Sequence, residues 1–123
     1  MSARILSGRE VAAALMEELR GEVAELPVAP RLVFVRAGDD PASASYVRSK
    51  ARLAGKAGVR HETRVLPPEV RQDELLAEVR ALNDDPDVDG ILVQLPLYDH
   101  LDAAPVLEAI DPAKDVDGFH PVN

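Results

Sequence analysis

Two short runs of consecutive apolar residues constrain the fold of this chain more than any other feature. One is Leu-Val-Phe-Val at 32–35, and the other is Gly-Ile-Leu-Val-Gln-Leu at 90–95, which Pro96 ends. Runs of this length without alternation are typical of strands in parallel sheets, because helices cover both faces of such sheets. A third and weaker strand is expected from His61 to Leu66.

Segments with helical periodicity lie before and between these strands. A first helix of about five turns is predicted to begin after Ser7, its N-cap, and to end at Pro27. Its apolar face is predicted to consist of Val11, Leu15, Leu19, Val23 and Leu26. The second helix is predicted to run from Pro41 to Gly58 with Asp40 as N-cap, since proline suits the first helical position and glycine the end.

Two further helices complete the pattern. The third is marked by Leu75, Leu76, Val79 and Leu82 and is predicted to end near Asn83. A short helix is expected from about Asp102 to Ile110, before a polar tail. Strands that alternate with helices predict a three-layer α-β-α domain with a mainly parallel sheet. We expect one domain over residues 1–123, and the loop-like end of the sequence suggests truncation of a longer chain.

The composition excludes several classes of function. The net charge of −8 disfavours nucleic-acid binding, and an acidic ligand must therefore be held by local groups. There is no cysteine, which excludes disulfides, thiolate metal sites and thiol nucleophiles. No apolar run approaches the roughly 20 residues that span a bilayer, and no signal peptide is recognisable at the start. We expect a cytoplasmic protein that contacts no membrane.

Lys50 is the first residue of chemical interest. A helical wheel places Lys50 in the middle of an apolar face of the second helix, four residues after Tyr46. The same face holds Leu53, Ala54 and Ala57 with Ser43 beside them, and the opposite face holds Arg48, Arg52 and Lys56. In one interpretation, Lys50 extends to the rim of this face or pairs with a core carboxylate. In the other it is partly desolvated over a cleft, where loss of water lowers a lysine pKa and allows proton exchange near neutral pH.

Gln94 and the segment Lys-Asp-Val-Asp-Gly at 114–118 are two further candidates. Gln94 follows three apolar residues at the carboxyl end of a strand, where parallel sheets open their ligand crevices. Its amide either caps backbone groups or orients a lysine or a ligand. The carboxylates of Asp115 and Asp117 belong either to a solvated turn or to a site for paired N–H donors of a heterocycle.

Several kinds of site have no support in the sequence. The aspartates at 115 and 117 lack the additional ligands of a metal site, so no metal is expected. The three histidines, His61, His100 and His120, lack metal-ligand spacing and are assigned no role. No glycine-rich phosphate-binding motif is present, so we expect no cofactor-binding residues in this chain.

Three segments in series carry a resemblance to a known family. They are D-P-A-S-x-x-Y-V-x-x-K at 40–50, G-I-L-V-Q-L-P-L at 90–97 and K-D-V-D-G-F-H-P-x-N at 114–123. Over essentially its whole length, the chain resembles the bifunctional methylenetetrahydrofolate dehydrogenase/methenyltetrahydrofolate cyclohydrolase family, in its N-terminal catalytic domain.

The resemblance implies an activity in one-carbon metabolism and a role for each matching residue. NADP, or NAD in some members, oxidises methylenetetrahydrofolate to the methenyl cation, which water converts to 10-formyltetrahydrofolate. Lys50 is then the acid/base group of the second step, and Gln94 holds it in place. Tyr46 packs against the folate, and Asp117 binds the pterin ring.

The resemblance also implies what this chain lacks. Family members are considerably longer, because a C-terminal Rossmann domain binds NADP and a final helix returns to the first domain. We therefore expect an incomplete hydride-transfer site, with tetrahydrofolate derivatives as partners. The full-length form is expected to be a homodimer and the fragment a monomer. Two alternatives remain: a stand-alone folate-binding module without turnover, and an interaction domain that retains the motifs without chemistry.

Overall fold

In the computed structural model, which describes residues 17, 18 and 20–116, three parallel strands form a sheet in the order β2-β1-β3. The strands are β1, Arg31–Arg36; β2, Arg60–Val65; and β3, Gly90–Gln94. The helices are α1, Pro41–Lys56; α2, Gln72–Asp84; and α3, Ala103–Ala109, and a 3₁₀ turn follows at Pro112–Lys114. The three predicted strands and the last three predicted helices are thereby confirmed. No helix in the described part of the chain is long and apolar enough to cross a membrane.

The two faces of the sheet pack against different helices. Val33 and Ile91 belong to the larger core cluster, which the buried residues of α2 and α3 complete. Phe34 and Leu92 belong to a smaller cluster with Val47 of α1. Because successive side chains of a strand point to opposite faces, these neighbours in sequence separate into two layers. The predicted three-layer α-β-α architecture is therefore confirmed.

The carboxyl ends of the three strands meet at one edge of the sheet. Arg36, the last residue of β1, is the register partner of Gln94, the last residue of β3. Tyr98 connects the loops beyond this edge. Its backbone N–H donates to Ala37 O at 2.7 Å, and its hydroxyl donates to Leu66 O at 3.0 Å. The loops that follow all three strands are thus joined by one residue.

The helical segment before β1 ends earlier than predicted. Residues 20–24 are helical, Val23 is buried, and Leu26 lies beyond the helix with 48% of its surface exposed. The prediction that Leu26 belongs to a buried helical face is wrong. The physical reason is Pro27, which disfavours a helical backbone at the residue before it. The predicted N-cap, Ser7, lies outside the described residues.

The ends of α1 follow from local chemistry. The carboxylate of Asp40 accepts a hydrogen bond from Ala42 N at 2.8 Å, and Pro41 occupies the first turn. Beyond the other end, Gly58 has a φ of 84°, a left-handed conformation that glycine adopts without a steric penalty. The predicted boundaries of this helix are confirmed to within two residues.

The segment after α3 is more ordered than the predicted polar tail. Lys114 Nζ donates to three backbone carbonyls at the end of α2, namely Leu82 at 3.1 Å, Asn83 at 2.8 Å and Asp85 at 2.8 Å. A cation at this position satisfies carbonyls that have no helical partner. A parallel bridge then joins Asp115 to Ile91 of β3. This segment is therefore anchored to α2 and β3 by Lys114 and by the backbone of Asp115 and Val116, where the described part ends.

Glu62 is part of an ion-pair network on the α2 side of the sheet. It accepts hydrogen bonds from Arg31 and Arg64, and Arg64 also pairs with Glu78 of α2. The hydrogen bond from Arg64, followed by that from Arg31, holds the pKa of Glu62 below its ordinary value of 4.5. The ionised carboxylate therefore stabilises the folded state.

We expect Glu62→Gln to weaken the dependence of stability on acid. Since the folded-state pKa is lowered, the contribution of Glu62 is present above pH 4.5 and is lost as the pH falls through the folded-state pKa. Urea denaturation at a series of pH values measures the effect as a smaller loss of unfolding free energy below pH 4.5 than in the wild type. Glu69→Gln, at an exposed position, is the matched control. Identical pH dependences for Glu62→Gln and the wild type would contradict the prediction.

Candidate active site

The side chains of Lys50 and Gln94 meet at the carboxyl end of β3. Lys50 Nζ donates to Gln94 Oε1 at 3.3 Å. Gln94 is 9% exposed and Lys50 is half-buried. Lys50 forms no ion pair with any carboxylate in residues 17, 18 and 20–116, so the described residues do not support the core-pair interpretation. The lysine is held by a neutral amide instead.

The carbonyl of Leu95 orients the amide of Gln94. Gln94 Nε2 and Ser43 Oγ both donate to Leu95 O, each at 3.0 Å. Because the amide nitrogen is bound to a carbonyl, the amide oxygen is left to accept from Lys50. Ser43 is 2% exposed and supports this arrangement from the first turn of α1. Its signals in the sequence are its place beside the apolar face of the helix and its place in the D-P-A-S motif, but neither predicts a bond to Leu95 O.

Lys50 lies at the border of the buried face of α1, because the apolar face predicted from the helical wheel is buried only in part. The buried residues of α1 are Ser43, Val47 and Ala54. Tyr46 is 58% exposed and Leu53 is 51% exposed. The helix rests on the sheet through its smaller side chains, and the two larger apolar side chains remain accessible on the same side as Lys50. A ligand can therefore contact Tyr46 and Lys50 together.

The other predicted site residue, Asp117, lies outside the described residues. Its neighbour Val116 donates its N–H to Ile91 O at 3.4 Å, beside β3. Among the histidines, His100 contacts Val70 O at 2.7 Å and stacks on Tyr98 with ring centroids 5.9 Å apart. Within the described residues, no group of three His, Cys, Asp or Glu side chains is placed to hold a metal ion.

The helix that carries Lys50 has a charge opposite to that of the chain. Its sequence contains four basic residues, Arg48, Lys50, Arg52 and Lys56, and no acidic residue. The chain as a whole carries −8. Lys50 is the basic residue on the Tyr46 side of this helix, whereas the other three lie on the opposite face, so Lys50 is the local group that a negatively charged ligand would meet here.

The geometry agrees with a comparison against known families. Residues 6–117 match the model of the tetrahydrofolate dehydrogenase/cyclohydrolase catalytic domain. The chain belongs to the tetrahydrofolate dehydrogenase/cyclohydrolase family. The resemblance carried by the three motifs is thereby confirmed.

Bacterial members of the family are similar to the chain along its whole length. The bifunctional protein FolD of Acidiphilium cryptum is 56% identical over 123 residues, and that of Thermus thermophilus is 50% identical over 123 residues. The alignment covers 100% of this chain and 44% of each relative. The chain therefore spans less than half the length of the curated relatives that it matches.

Solved structures of family members share the fold. The bifunctional FolD of Campylobacter jejuni has a TM-score of 0.88 and 42% identity, over 91% of this chain and 41% of that one. The Trypanosoma brucei FolD, solved with NADP and an inhibitor, has a TM-score of 0.89 and 38% identity, over 100% of this chain and 43% of that one. These values confirm the α/β fold of the described residues.

Because it has no side chain, Gly38 permits a close contact with the backbone of Pro96, in the segment Gln94-Leu95-Pro96. A Cβ atom at Gly38 would lie 2.4 Å from Pro96 O, whereas one at Gly90 would lie 2.4 Å from Leu32 Cδ2 and 2.7 Å from Val116 Cγ2. Side-chain ends can rotate away, but a backbone carbonyl can move only with its loop. Gly38→Ala is therefore expected to displace the loop that orients Gln94.

We expect Gly38→Ala to lower the unfolding free energy by about 1–3 kcal/mol, the usual cost of overpacking, and Gly90→Ala to lower it less. Chemical denaturation of the two variants measures the difference. Gly90→Ala is the matched control because it adds the same methyl group. A larger loss in Gly90→Ala than in Gly38→Ala would contradict the prediction.

Proposed function

We propose that the protein containing this chain oxidises 5,10-methylenetetrahydrofolate with NADP and hydrolyses the methenyl product to 10-formyltetrahydrofolate. The family match and the bifunctional relatives support this proposal. The observation that carries it is the hydrogen bond from Lys50 to Gln94, beside the exposed ring of Tyr46. This hydrogen bond lies at the carboxyl edge of a parallel sheet, where such sheets bind ligands.

Lys50 is proposed as the proton carrier of the hydrolytic step. Water adds to the methenyl carbon, and the neutral amine of Lys50 removes a proton from that water. The resulting ammonium group delivers a proton to the ring nitrogen as its bond to the carbon breaks, and the other proton of the water reaches solvent. Gln94 Oε1 fixes the position of Lys50 Nζ, and such positioning of reacting groups lowers barriers by several kcal/mol.

Tyr46 and Asp117 are proposed to bind the substrate. The accessible ring of Tyr46 offers a face for an aromatic part of the folate, one helical turn from Lys50. The carboxylate of Asp117 is assigned to the N–H donors of the pterin. Support for this assignment is the parallel bridge of Asp115, two residues before Asp117, with Ile91, three residues before Gln94. Neither role requires a metal ion.

NADP, which supplies the hydride acceptor, does not fit the corresponding turn of this chain. A dinucleotide pyrophosphate binds a glycine-rich turn and the free N–H groups of a helix N-terminus. Here the turn before α1 carries Asp39 and Asp40, and the carboxylate of Asp40 already accepts from Ala42 N. We therefore assign NADP to the part of the longer relatives that this chain does not span. We also propose a cytoplasmic homodimer as the complete form.

The test is an assay of the whole protein with methylenetetrahydrofolate and NADP, followed by an assay with added methenyltetrahydrofolate. We expect formation of NADPH in the first and of 10-formyltetrahydrofolate in both. Hydride transfer without hydrolysis would overturn the role of Lys50. Tight folate binding with neither reaction would overturn the proposal in favour of a folate-binding module.

A further inference from the structure

A second concave surface lies on the side of α1 that faces β2, away from Lys50. Its volume is about 220 Å³. It is lined by Arg36, Ala44, Val47, Arg48, Thr63 and Val65. On the helical wheel, positions 44 and 48 lie on the other side of the buried face from positions 46 and 50. This β2-side cavity is therefore separate from the candidate active site.

Arg36 contributes a buried donor for which the described residues supply no acceptor. The residue ends β1, and its side chain points to the α1 face, as that of Phe34 does two positions earlier. Within the described part of the chain, Arg36 Nε is buried and has no hydrogen-bond partner. A buried N–H group without an acceptor costs free energy, and an oxygen ligand that accepts from it removes this cost.

Arg36 and Arg48 also differ from other arginines around the sheet in their lack of ion pairs with described carboxylates. Arg31, Arg60 and Arg64 each form ion pairs with carboxylates. Neither cavity arginine forms an ion pair with any carboxylate in residues 17, 18 and 20–116, although the chain carries a net charge of −8. Two guanidinium groups that pair with no described carboxylate therefore flank one concave surface.

We propose that the β2-side cavity is an anion subsite that binds a phosphate or carboxylate group. The guanidinium group presents N–H donors in a planar fork, which matches the oxygens of both anions. Thr63 adds a hydroxyl group to the lining, while Val47 and Val65 form apolar walls. The binding does not depend on folate turnover, so it stands or falls independently of the proposed function.

The test is titration of the ¹⁵N-labelled whole protein with inorganic phosphate and, separately, with glutarate at constant ionic strength. The NMR signals to follow are Arg36 Nε–H and the backbone amide of Val65. We expect a saturable shift with at least one anion. Saturation by phosphate alone indicates a phosphate-bearing ligand, and saturation by glutarate alone indicates a carboxylate. Linear, non-saturating shifts with both anions would overturn the proposal.

Three variants separate a built subsite from general attraction by α1. Arg48→Gln is expected to weaken binding about tenfold, from the loss of one charge-assisted hydrogen bond. Arg36→Gln is expected to abolish saturation at the Val65 amide. Arg52→Gln removes the same charge from the same helix outside the cavity and should leave the affinity unchanged. If Arg36→Gln does not fold, the anion affinity of Arg48→Gln, compared with that of Arg52→Gln, tests the proposal. Equal weakening in Arg48→Gln and Arg52→Gln would overturn the proposal.

Discussion

Replacement of Lys50 by methionine is expected to slow methenyltetrahydrofolate hydrolysis by a factor on the order of 10²–10⁴, the usual contribution of general acid–base catalysis. This factor corresponds to about 3–5 kcal/mol of barrier. Methionine has a similar length and a high helix propensity, so α1 and its packing should persist. What the variant removes is Nζ, with its hydrogen bond to Gln94 Oε1 and its exchangeable proton. Single-turnover hydrolysis of added methenyltetrahydrofolate measures the chemical step directly.

Two further variants identify the property of Lys50 that matters. Lys50→Arg retains a cation and hydrogen-bond donors, but arginine does not release its proton in proteins. If Lys50 transfers protons, the arginine variant should be nearly as slow as the methionine variant. Lys56→Met makes the same chemical change at an exposed position of the same helix and should retain the wild-type rate. Wild-type hydrolysis by Lys50→Met would show that the assignment of Lys50 is wrong.

The elements of the fold are largely predictable because local chemistry determines them. The uninterrupted apolar run in β3 indicates burial on both faces, and all five of its residues are buried. Asp40 and Gly58 mark the ends of α1 because each satisfies a requirement of the backbone at its own position. A predicted helix end is wrong where a neighbouring residue disfavours the helical backbone that the apolar spacing indicates. Pro27 has this effect on Leu26.

The orientation of α1 is not predictable from its own sequence. A helical wheel groups Tyr46, Lys50 and Leu53 as one apolar face but does not indicate which angle meets the sheet. The sheet offers Phe34 and Leu92 on this side, and α1 meets them through Val47. The larger side chains are consequently displaced towards solvent. Similarly, Lys114 binds carbonyls about 30 residues earlier in the chain, a contact that exists only after α2 and the 3₁₀ turn have packed together.

The candidate site is predictable in part. The family motifs predict that Gln94 contacts Lys50. The register of β3 beside β1 explains why the two side chains meet at the carboxyl edge of the sheet. The shared acceptor Leu95 O is not predictable, because backbone carbonyls carry no mark in a sequence. The role of Asp117 stays a prediction.

Phe34→Ala is expected to lower the unfolding free energy by about 3–5 kcal/mol, the usual cost of removing a buried aromatic side chain. Phe34 is 2% exposed and is the largest residue of the small cluster that it forms with Val47 and Leu92. Few neighbours can move into the space it leaves. Because a domain of this size is stable by only about 5–15 kcal/mol, the loss is a large fraction of the total. Urea denaturation of the variant and the wild type measures it.

The same substitution should also weaken the site, because Phe34 packs between the two elements that carry Lys50 and Gln94. Leu75→Ala is the matched control. Leu75 is fully buried in the larger cluster on the other face of the sheet, so it does not support α1. Its replacement by alanine is expected to lower the unfolding free energy by about 2–5 kcal/mol. At a temperature where both variants remain folded, Phe34→Ala should reduce kcat for hydrolysis, and Leu75→Ala should not. Equal reductions would mean that global stability, rather than the seating of α1 on the sheet, holds Lys50 against Gln94.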